Sequence, residues 1–323
     1  MRIPALTLIL VLALGSVLAA CGDDGDSGAS GPRQDITVTE SIDVPADVSE
    51  TDTIQVGTNP QAVAAGDDAV WVANRDDDTV MRIDPATSEV TDTVEVGAFP
   101  QGVAVAEDAV WVTNRNDGTV SRIDPAAPEV TDTVGVGVEP VGVVVSRDAV
   151  WVANGEDGTV SRIDPDALEV TDTVEVGSIP WAMAVTADAV WVANGEDGTV
   201  SRIDPEAREV TDTIDVGIGP QGMAATTDAL WVANRDDTVS RIDLETREVT
   251  DTIDVGSDPM GMAVSAGSVW VVNSFDGTVF RLDPDTGSIN DRIDVGEIPL
   301  GAAVTADAVW VTNREDGTVS RIG

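Results

Sequence analysis

The 323-residue sequence contains no histidine and no tyrosine, and its only cysteine is Cys21. Without histidine, the chain lacks the side chain that most often acts as a general base near neutral pH, which is also the commonest metal ligand. A single cysteine cannot form an intrachain disulfide. Carboxylates remain available, so these absences weigh against an enzyme without excluding one. We predict no catalytic residue, no metal ligand and no cofactor.

Positive charge is also scarce. All 17 basic residues are arginine, against 59 aspartates and glutamates, and the formal net charge is -42. An excess of this size repels the phosphates of nucleic acids and anionic lipid surfaces. We therefore expect no nucleic-acid partner, and we expect the protein to be a monomer.

The beginning of the chain has the pattern of an exported bacterial protein. A short apolar run over residues 3–18 ends in small residues, which indicates a signal peptide over residues 1–20 rather than a membrane-spanning helix. The motif Leu-Ala-Ala-Cys at 18–21 resembles the bacterial lipobox. The resemblance implies cleavage before Cys21 and lipidation of its thiol, which would hold the protein at the outer face of a membrane. An ordinary signal peptide with an incidental cysteine is the alternative.

Residues 21–47 follow as the lipidated cysteine and a tether. The segment 22–35 is rich in Gly, Ser and Asp and has no large apolar residue, so we predict a flexible linker there. Residues 36–44 alternate weakly between apolar and polar. Two interpretations stay open for them, an additional outer strand or an extended arm.

One stretch, clearest at 189–205, recurs seven times and sets the period of the chain. A tryptophan marks each copy at a spacing of 40 residues, except for one step of 39. These tryptophans are Trp71, Trp111, Trp151, Trp191, Trp231, Trp270 and Trp310. A fixed period in this range predicts a repeat architecture whose units stabilise one another.

Each unit contains four strand signals and no helical periodicity. In the second unit they lie at 102–105, 108–114, 119–124 and 129–136. The dipeptide Asp117-Gly118 is a strong hairpin signal between the second and third strands. Four antiparallel strands per repeat predict a blade of a β-propeller. The tryptophan, as the one bulky side chain per blade, should pack between neighbouring blades.

The ends of the chain predict how the ring closes. The last copy stops at Gly323 after its third strand, and residues 51–57 match the fourth strands of other copies, such as 211–217. The N-terminal strand should therefore complete the last blade, which removes exposed sheet edges. We predict an all-β, seven-bladed β-propeller over residues 48–323, with four antiparallel strands per blade.

The repeat resembles the YVTN-type β-propeller family. The resemblance rests on Val-Trp-Val-Ala-Asn at 70–74, Thr-Val-x-Arg-Ile-Asp at 79–84, and Val-Gly-x-x-Pro-x-Gly-Val-Ala-Val at 96–105. It implies a propeller and a secreted or surface location, and no single activity. The repeat is also similar to that of streptogramin lyases. Their histidine-dependent, metal-assisted site cannot be carried over to a chain without histidine.

The first candidate site is a group of arginines. In propellers, the second-to-third hairpin and the connection from a fourth strand to the next first strand share one face. Arg314, Arg75 and Arg115 lie on this face in consecutive blades, so we expect them to cluster. Guanidinium groups suit a ligand that carries carboxylate or phosphate. The alternative is that each arginine only neutralises nearby hairpin acids such as Asp76 and Glu315.

The second candidate site is the mouth of the central channel, formed by the residue after each connecting proline. These residues are Gln61, Gln101, Val141, Trp181, Gln221, Met260 and Leu300. Trp181 is the only tryptophan outside the ring of seven. With Met183, Met260 and Met262 it would make an adaptable contact patch. The alternative is that these side chains only fill the channel.

Two further sets recur in every blade and are interpreted as structural. The asparagine that ends each second strand suits local backbone hydrogen bonds. The arginine on each third strand should pair with the aspartate of the Thr-Asp-Thr fourth strands.

Together these features favour a non-catalytic, lipid-anchored module that binds a protein or a cell-envelope ligand. The candidate ligand-binding residues are Trp181, Met260, Gln61, Gln101, Gln221, Arg75, Arg115 and Arg314. The rival hypothesis is a lyase- or lactonase-type enzyme that uses carboxylates and a divalent metal in the channel. The inner strands, which carry mainly Val, Ala, Met and Gly, weigh against this rival.

Overall fold

The computed structural model describes residues 48–265 and 267–323. The signal peptide, Cys21 and the tether predicted over residues 1–47 lie outside this part of the chain. The described residues form 28 strands in seven four-stranded antiparallel sheets. No helix that could span a membrane occurs among them. The predicted seven-bladed β-propeller is confirmed.

The strands occupy four positions from the channel to the rim. The inner strands are β2 (Pro60–Ala65), β6 (Pro100–Val105), β10 (Pro140–Val145), β14 (Pro180–Val185), β18 (Pro220–Ala225), β22 (Pro259–Ser265) and β26 (Pro299–Val304). The second strands are β3 (Val70–Asn74), β7 (Val110–Asn114), β11 (Val150–Asn154), β15 (Val190–Asn194), β19 (Ala229–Asn234), β23 (Ser268–Asn273) and β27 (Val309–Asn313). Each inner strand contacts the inner strand of the next blade, and β26 contacts β2.

The two outer positions complete each blade. The third strands are β4 (Thr79–Asp84), β8 (Thr119–Asp124), β12 (Thr159–Asp164), β16 (Thr199–Asp204), β20 (Thr238–Asp243), β24 (Thr278–Leu282) and β28 (Thr318–Ile322). The outermost strands are β5 (Glu89–Glu95), β9 (Glu129–Gly135), β13 (Glu169–Glu175), β17 (Glu209–Asp215), β21 (Val249–Asp254), β25 (Ile289–Asp294) and β1 (Glu50–Gln55). Blade one is β2–β5, the others follow in chain order, and blade seven is β26–β28 with β1.

The core lies between adjacent blades. Trp151 of blade three is fully buried against Val190, Val192 and Ile203 of blade four, and the other six tryptophans are buried in the same way. Small residues on the inner strands allow the blades to meet closely near the axis. A methyl group on Gly222, for example, would overlap the carbonyl oxygen of the next blade's inner strand. The predicted packing of tryptophan between blades is confirmed.

The N-terminal strand closes the ring as the sequence predicts. Strand β1 pairs antiparallel with β28, with Ile54 opposite Val319. Ile54 and Val56 are buried in the core between blades seven and one, beside Trp310. Because β1 ends at the connection to β2, it begins at the opposite end of the blade. The chain therefore enters the propeller on the face away from that connection.

The third-strand arginines correct one expectation. In each blade the guanidinium lies 5.7–6.0 Å from the tryptophan ring of the same blade. Pairing with the fourth-strand aspartate occurs at Arg82 and Arg281, and more distantly at Arg122. In five blades the arginine pairs with the aspartate of the hairpin between strands one and two, as Arg202 does with Asp188 at 2.7 Å, and Arg122 makes both contacts. The hairpin between strands one and two lies at the same end of the blade as the arginine. The strand register places Asp212 opposite Arg202 and does not show that Asp188 is also within reach.

Closure by β1 predicts that removing β1 lowers the stability of the fold, whereas removing only the residues before it does not. Removal of residues 1–57 would uncover the edge of β28 and expose the apolar surface that Ile54 and Val56 cover. We expect a loss of roughly 3–6 kcal/mol of unfolding free energy. Removal of residues 1–47 is the matched control and should leave the unfolding transition unchanged. Thermal and denaturant unfolding of both truncated chains checks this, and equal stability of the two would contradict the closure.

Candidate ligand-binding face at the channel mouth

One face of the propeller carries the hairpins between strands two and three together with the connections between blades, and we call it the loop face. A repeated asparagine holds these two segments together. The side-chain oxygen of Asn194 accepts a hydrogen bond from the backbone N–H of Gly177 at 3.0 Å. Its Nδ2 donates to the hydroxyls of Thr199 and Ser201 at 3.0 and 2.9 Å. The interpretation of the asparagines as structural is therefore supported by their contacts.

An aspartate in the same hairpin adds a second tie. Asp197 accepts a hydrogen bond from the backbone N–H of Ser178 at 2.7 Å, and equivalent bonds occur in the other blades. Blade five departs from the pattern because its hairpin is one residue shorter. There the buried side-chain oxygen of Asn234 has no hydrogen-bond partner among the described residues. Its loop is tied by Asp236, which accepts from the N–H of Ile218 at 3.1 Å.

The last of the four residues in each interblade connection has a left-handed backbone. These residues are Asn59, Phe99, Glu139, Ile179, Gly219, Asp258 and Ile298, with φ between 48° and 63°. Asparagine, aspartate and glycine tolerate this region, whereas a β-branched side chain in it is strained. Blades four and seven thus hold an isoleucine where the backbone disfavours it.

The arginines predicted to cluster do so on the loop face, in blades seven, one and two. Burial lowers the pKa of the Arg75 guanidinium, Asp76 opposes this effect, and the charges of Arg314 and Arg115 lower the pKa further. The Arg75 guanidinium stacks on the ring of Phe99 at 3.8 Å. Its nearest carboxylate, on Asp76, lies at 4.0 Å, which is too far for a hydrogen bond.

The other two arginines have acidic neighbours. Arg115 forms a close ion pair with Glu139 of the interblade connection, its Nε donating to Oε2 at 3.2 Å. Arg314 lies 3.8 Å from a carboxylate oxygen of Glu315. A nearby acid therefore neutralises the charge of Arg115 most closely. The charge of Arg314 is neutralised less closely, and that of Arg75 least.

The channel-mouth residues separate into half-buried and buried groups. Trp181, Met260, Gln61, Gln101 and Gln221 are half-buried, and Val141 and Leu300 are buried. Gln101 donates to the side-chain oxygen of Gln61 at 3.1 Å, and Gln221 reaches Asp258 at 3.5 Å. The expectation that Met183 and Met262 join the mouth is wrong. Both are buried between blades, because their positions on the inner strands face the neighbouring sheet.

Two of the candidate groups meet across blade three. The Arg115 guanidinium lies 5.9 Å from the ring of Trp181, within range of a cation–π interaction. Between them stands blade three, whose hairpin carries Gly155 in place of an arginine. The mouth thus combines an aromatic ring, amide groups and guanidinium groups, which together suit a ligand with an apolar part and a carboxylate or phosphate.

Sequence reasoning missed four exposed apolar residues on the loop face. Ile218 and Phe275 are each 72% exposed, Val138 is 48% exposed and Ile179 is 45% exposed. Their departure from the repeat was visible in the sequence. Phe275, for example, stands where every other hairpin has Asp, Asn or Glu. The degree of exposure was not visible there.

In the described part of the chain, no group of three or more His, Cys, Asp or Glu side chains could hold a metal ion. The carboxylates of the loop face are dispersed over seven hairpins, and one aspartate of each hairpin accepts a hydrogen bond from a backbone N–H of an interblade connection.

No protein-family model and no curated protein matches this chain. Several solved structures share its fold. Virginiamycin B lyase from Staphylococcus aureus is 17% identical, with a TM-score of 0.75 over 85% of this chain and 99% of that one. The WD40 β-propeller domain of Doa1 is 16% identical, with a TM-score of 0.75 over 85% and 97%. Kuenenia stuttgartiensis hydrazine synthase is 17% identical, with a TM-score of 0.74 over 82% and 96%. At these identities the likeness establishes the fold alone.

The asparagine tie predicts a defined loss of stability. In Asn194→Ala, the Gly177 N–H and the Ser201 hydroxyl lose their partner in a buried setting. We expect a loss of about 1–3 kcal/mol of unfolding free energy. Asn116→Ala, at an exposed hairpin position, is the matched control and should change it by less than about 0.5 kcal/mol. Denaturant unfolding measures both, and equal effects would show that the asparagine does not tie the loop.

Proposed function

We propose that the protein is a lipid-anchored, extracytoplasmic binding module that recognises a protein or a cell-envelope ligand on its loop face without catalysing a reaction. One observation carries this proposal. Trp181, Arg115 and Arg75 converge on the loop face at the channel mouth, where the repeat is otherwise held constant by the asparagine ties. The ligand-binding set comprises Trp181, Met260, Gln61, Gln101, Gln221, Arg75, Arg115 and Arg314.

Arg75 is the strongest single support for a ligand. Its guanidinium is partly buried, the charges of two other arginines act on it, and it stacks on Phe99 without a hydrogen-bonded carboxylate. Desolvated like charges destabilise a fold unless something compensates for them. An incoming carboxylate or phosphate supplies that compensation through charge-assisted hydrogen bonds.

The N-terminal sequence motifs support an envelope setting. We propose a signal peptide over residues 1–20, lipidation at Cys21 and a tether to residue 47, which together place the propeller outside the cytoplasm on a bacterial membrane. Because β1 begins on the face opposite the loops, the tether joins the propeller away from the binding face. The loop face is then free to meet a partner while the chain stays anchored. The repeat motif at 70–74 and 79–84 further supports membership of the YVTN-type propellers.

The alternative is a metal-assisted lyase or lactonase. Its support is the fold shared with virginiamycin B lyase at 17% identity. A chain without histidine would need carboxylates for the metal and for proton transfer. The inner strands supply none, because their residues are Val, Ala, Met, Gly, Gln and similar uncharged side chains.

Anchoring predicts a change of compartment in a single variant. In Cys21→Ser the thiol that would carry lipid is absent, so the mature chain should move from the membrane fraction to the soluble exported fraction. Fractionation with immunodetection measures this, and metabolic labelling with a fatty-acid analogue should mark the wild type only. A variant that remains in the membrane fraction with unchanged labelling would overturn the anchor.

Binding at the channel mouth predicts a selective loss of capture. The full chain serves as bait against the envelope fraction of its own cells, with Trp181→Ala and Arg75→Ala as the test variants. Each should reduce capture of the specific partner about tenfold or more, as expected for an interface residue worth about 1.4 kcal/mol or above. Val249→Ser, an exposed residue on the outermost strand β21, is the control and should capture normally.

Two results would count against binding at this site. The first is equal capture by all four proteins in quantitative mass spectrometry. The second is a tightly held, stoichiometric divalent metal together with turnover that chelation abolishes, which would favour the enzyme instead.

A further inference from the structure

The four exposed apolar side chains of the loop face lie in consecutive blades. Val138, Ile179 and Ile218 occupy the connections that lead into blades three, four and five, and Phe275 occupies the hairpin of blade six. The inner strands of these blades contact one another in sequence around the ring. We call the four residues the apolar arc. At its Val138 end the arc adjoins Arg115, which pairs with Glu139, and its other three residues lie in blades that carry none of Arg314, Arg75 and Arg115.

The fold gains little from these side chains. Ile218 and Phe275 expose 72% of their surface, so their burial contributes little to folding. Ile179 has a φ of 52°, a backbone conformation that is strained for a β-branched residue, and it is still 45% exposed. Asn59 and Gly219 show that the same loop position accepts residues without this strain.

In blade five the connection that carries Ile218 is held by different hydrogen bonds from those of the other blades. The hairpin is one residue shorter there, and Asn234 makes no bond to the Gly217 N–H of the kind seen in the other blades. The Ile218 N–H is held by Asp236 instead. Blade five thus combines a shortened hairpin with an isoleucine at the third of the four connecting residues, and that isoleucine is exposed.

Charge around the arc is almost entirely negative. The hairpins of these four blades carry exposed acidic residues beside each apolar side chain. These residues are Glu156, Asp157, Glu196, Asp197, Asp236, Asp237 and Asp276. The single arginine on these hairpins, Arg235, lies 3.7 Å from Asp258. Apolar groups beside unneutralised carboxylates select a partner that offers apolar and cationic groups together.

We propose that the apolar arc docks a segment of a partner protein in which large apolar side chains stand next to Lys or Arg. The apolar side chains cover Ile218, Phe275 and their neighbours, and the cations meet the hairpin carboxylates. The proposal rests on the proposed binding role and names the partner chemistry for the part of the loop face centred on Ile218 and Phe275, in blades five and six. A second copy of this chain, with its charge of -42, fits the arc poorly because its surface is acidic as well.

Short synthetic peptides test this chemistry directly. The probe is a fluorescein-labelled peptide in which Leu and Lys alternate, titrated with the full chain at physiological ionic strength and followed by anisotropy. One control peptide replaces Leu with Ser and a second replaces Lys with Glu. The Leu/Lys peptide should bind at least about tenfold more tightly than either control, because only it satisfies both features.

Paired variants locate the binding. Ile218→Ser with Phe275→Ser should weaken binding of the Leu/Lys peptide about tenfold or more. Val249→Ser with Ile289→Ser removes two exposed apolar side chains from the outermost strands and is the matched control, with an expected change below about twofold. A third variant separates binding from folding. Ile179→Asn should raise the Tm by relieving the left-handed strain and still weaken the Leu/Lys peptide.

Several outcomes would overturn the proposal. They are equal binding by the arc variant and the rim variant, equal binding of the Leu/Lys and Leu/Glu peptides, or concentration-dependent self-association that the arc variant abolishes. Arg75→Ala, in blade one, distinguishes this proposal from the channel-mouth site. It should leave binding of the Leu/Lys peptide within about twofold while it reduces envelope capture, so either proposal can fail without the other.

Discussion

Burial of apolar surface between neighbouring sheets is the interaction on which the rest of the structure depends. Each sheet has two apolar faces, and only another sheet can remove both from water. Trp151 illustrates the arrangement, since its side chain packs against Val190 and Val192 of the next blade. A chain with 3% aromatic residues places seven of its eight tryptophans at this one position. Every blade therefore needs a neighbour on each side, and a closed ring is the arrangement that gives all seven one.

Closure makes the N-terminal strand part of the core. Ile54 and Val56 pack with Trp310 and with residues of blade one, so the first described strand and the last one share one sheet. This placement has a functional consequence. Strand β1 begins at the end of blade seven opposite the loop face, so the described chain starts away from the candidate ligand-binding residues.

On the loop face, the backbone conformation repeats from blade to blade while several side chains differ. Its backbone is held in nearly the same way in each blade by the asparagine and aspartate ties, so single positions can change without loss of the loop shape. Arg75, Trp181 and Phe275 are such changes, each in a different blade. The frame is close to sevenfold symmetric, but the surface is not. One part has three arginines and aromatic rings, and the other has exposed apolar side chains among carboxylates.

Charge has different roles on the two faces. The third-strand arginines stack on buried tryptophans and pair with exposed aspartates of the opposite face, and ion pairs of this exposed kind contribute at most about 1 kcal/mol each. One aspartate of each loop-face hairpin serves the backbone, because it accepts a hydrogen bond from the N–H of an interblade connection. Other acidic side chains of the hairpins, such as Glu156 and Glu196, are exposed to solvent.

The amino-acid sequence by itself determined the number of blades, the order of strands and the closing strand. The repeated tryptophan gives the number of blades, the strand signals of each copy give the order, and the missing fourth strand of the last copy identifies the closing strand. It also identified the loop-face arginines and Trp181, which depart from the repeat. Only the tertiary structure decided which side of each inner strand meets the next blade, and so buried Met183 and Met262. It also paired Arg202 with Asp188 rather than with the fourth strand, and brought Arg115 to Trp181 across blade three. Alternation along a strand reports two faces, but which neighbour covers each face depends on the twist of the sheets and the curvature of the whole ring.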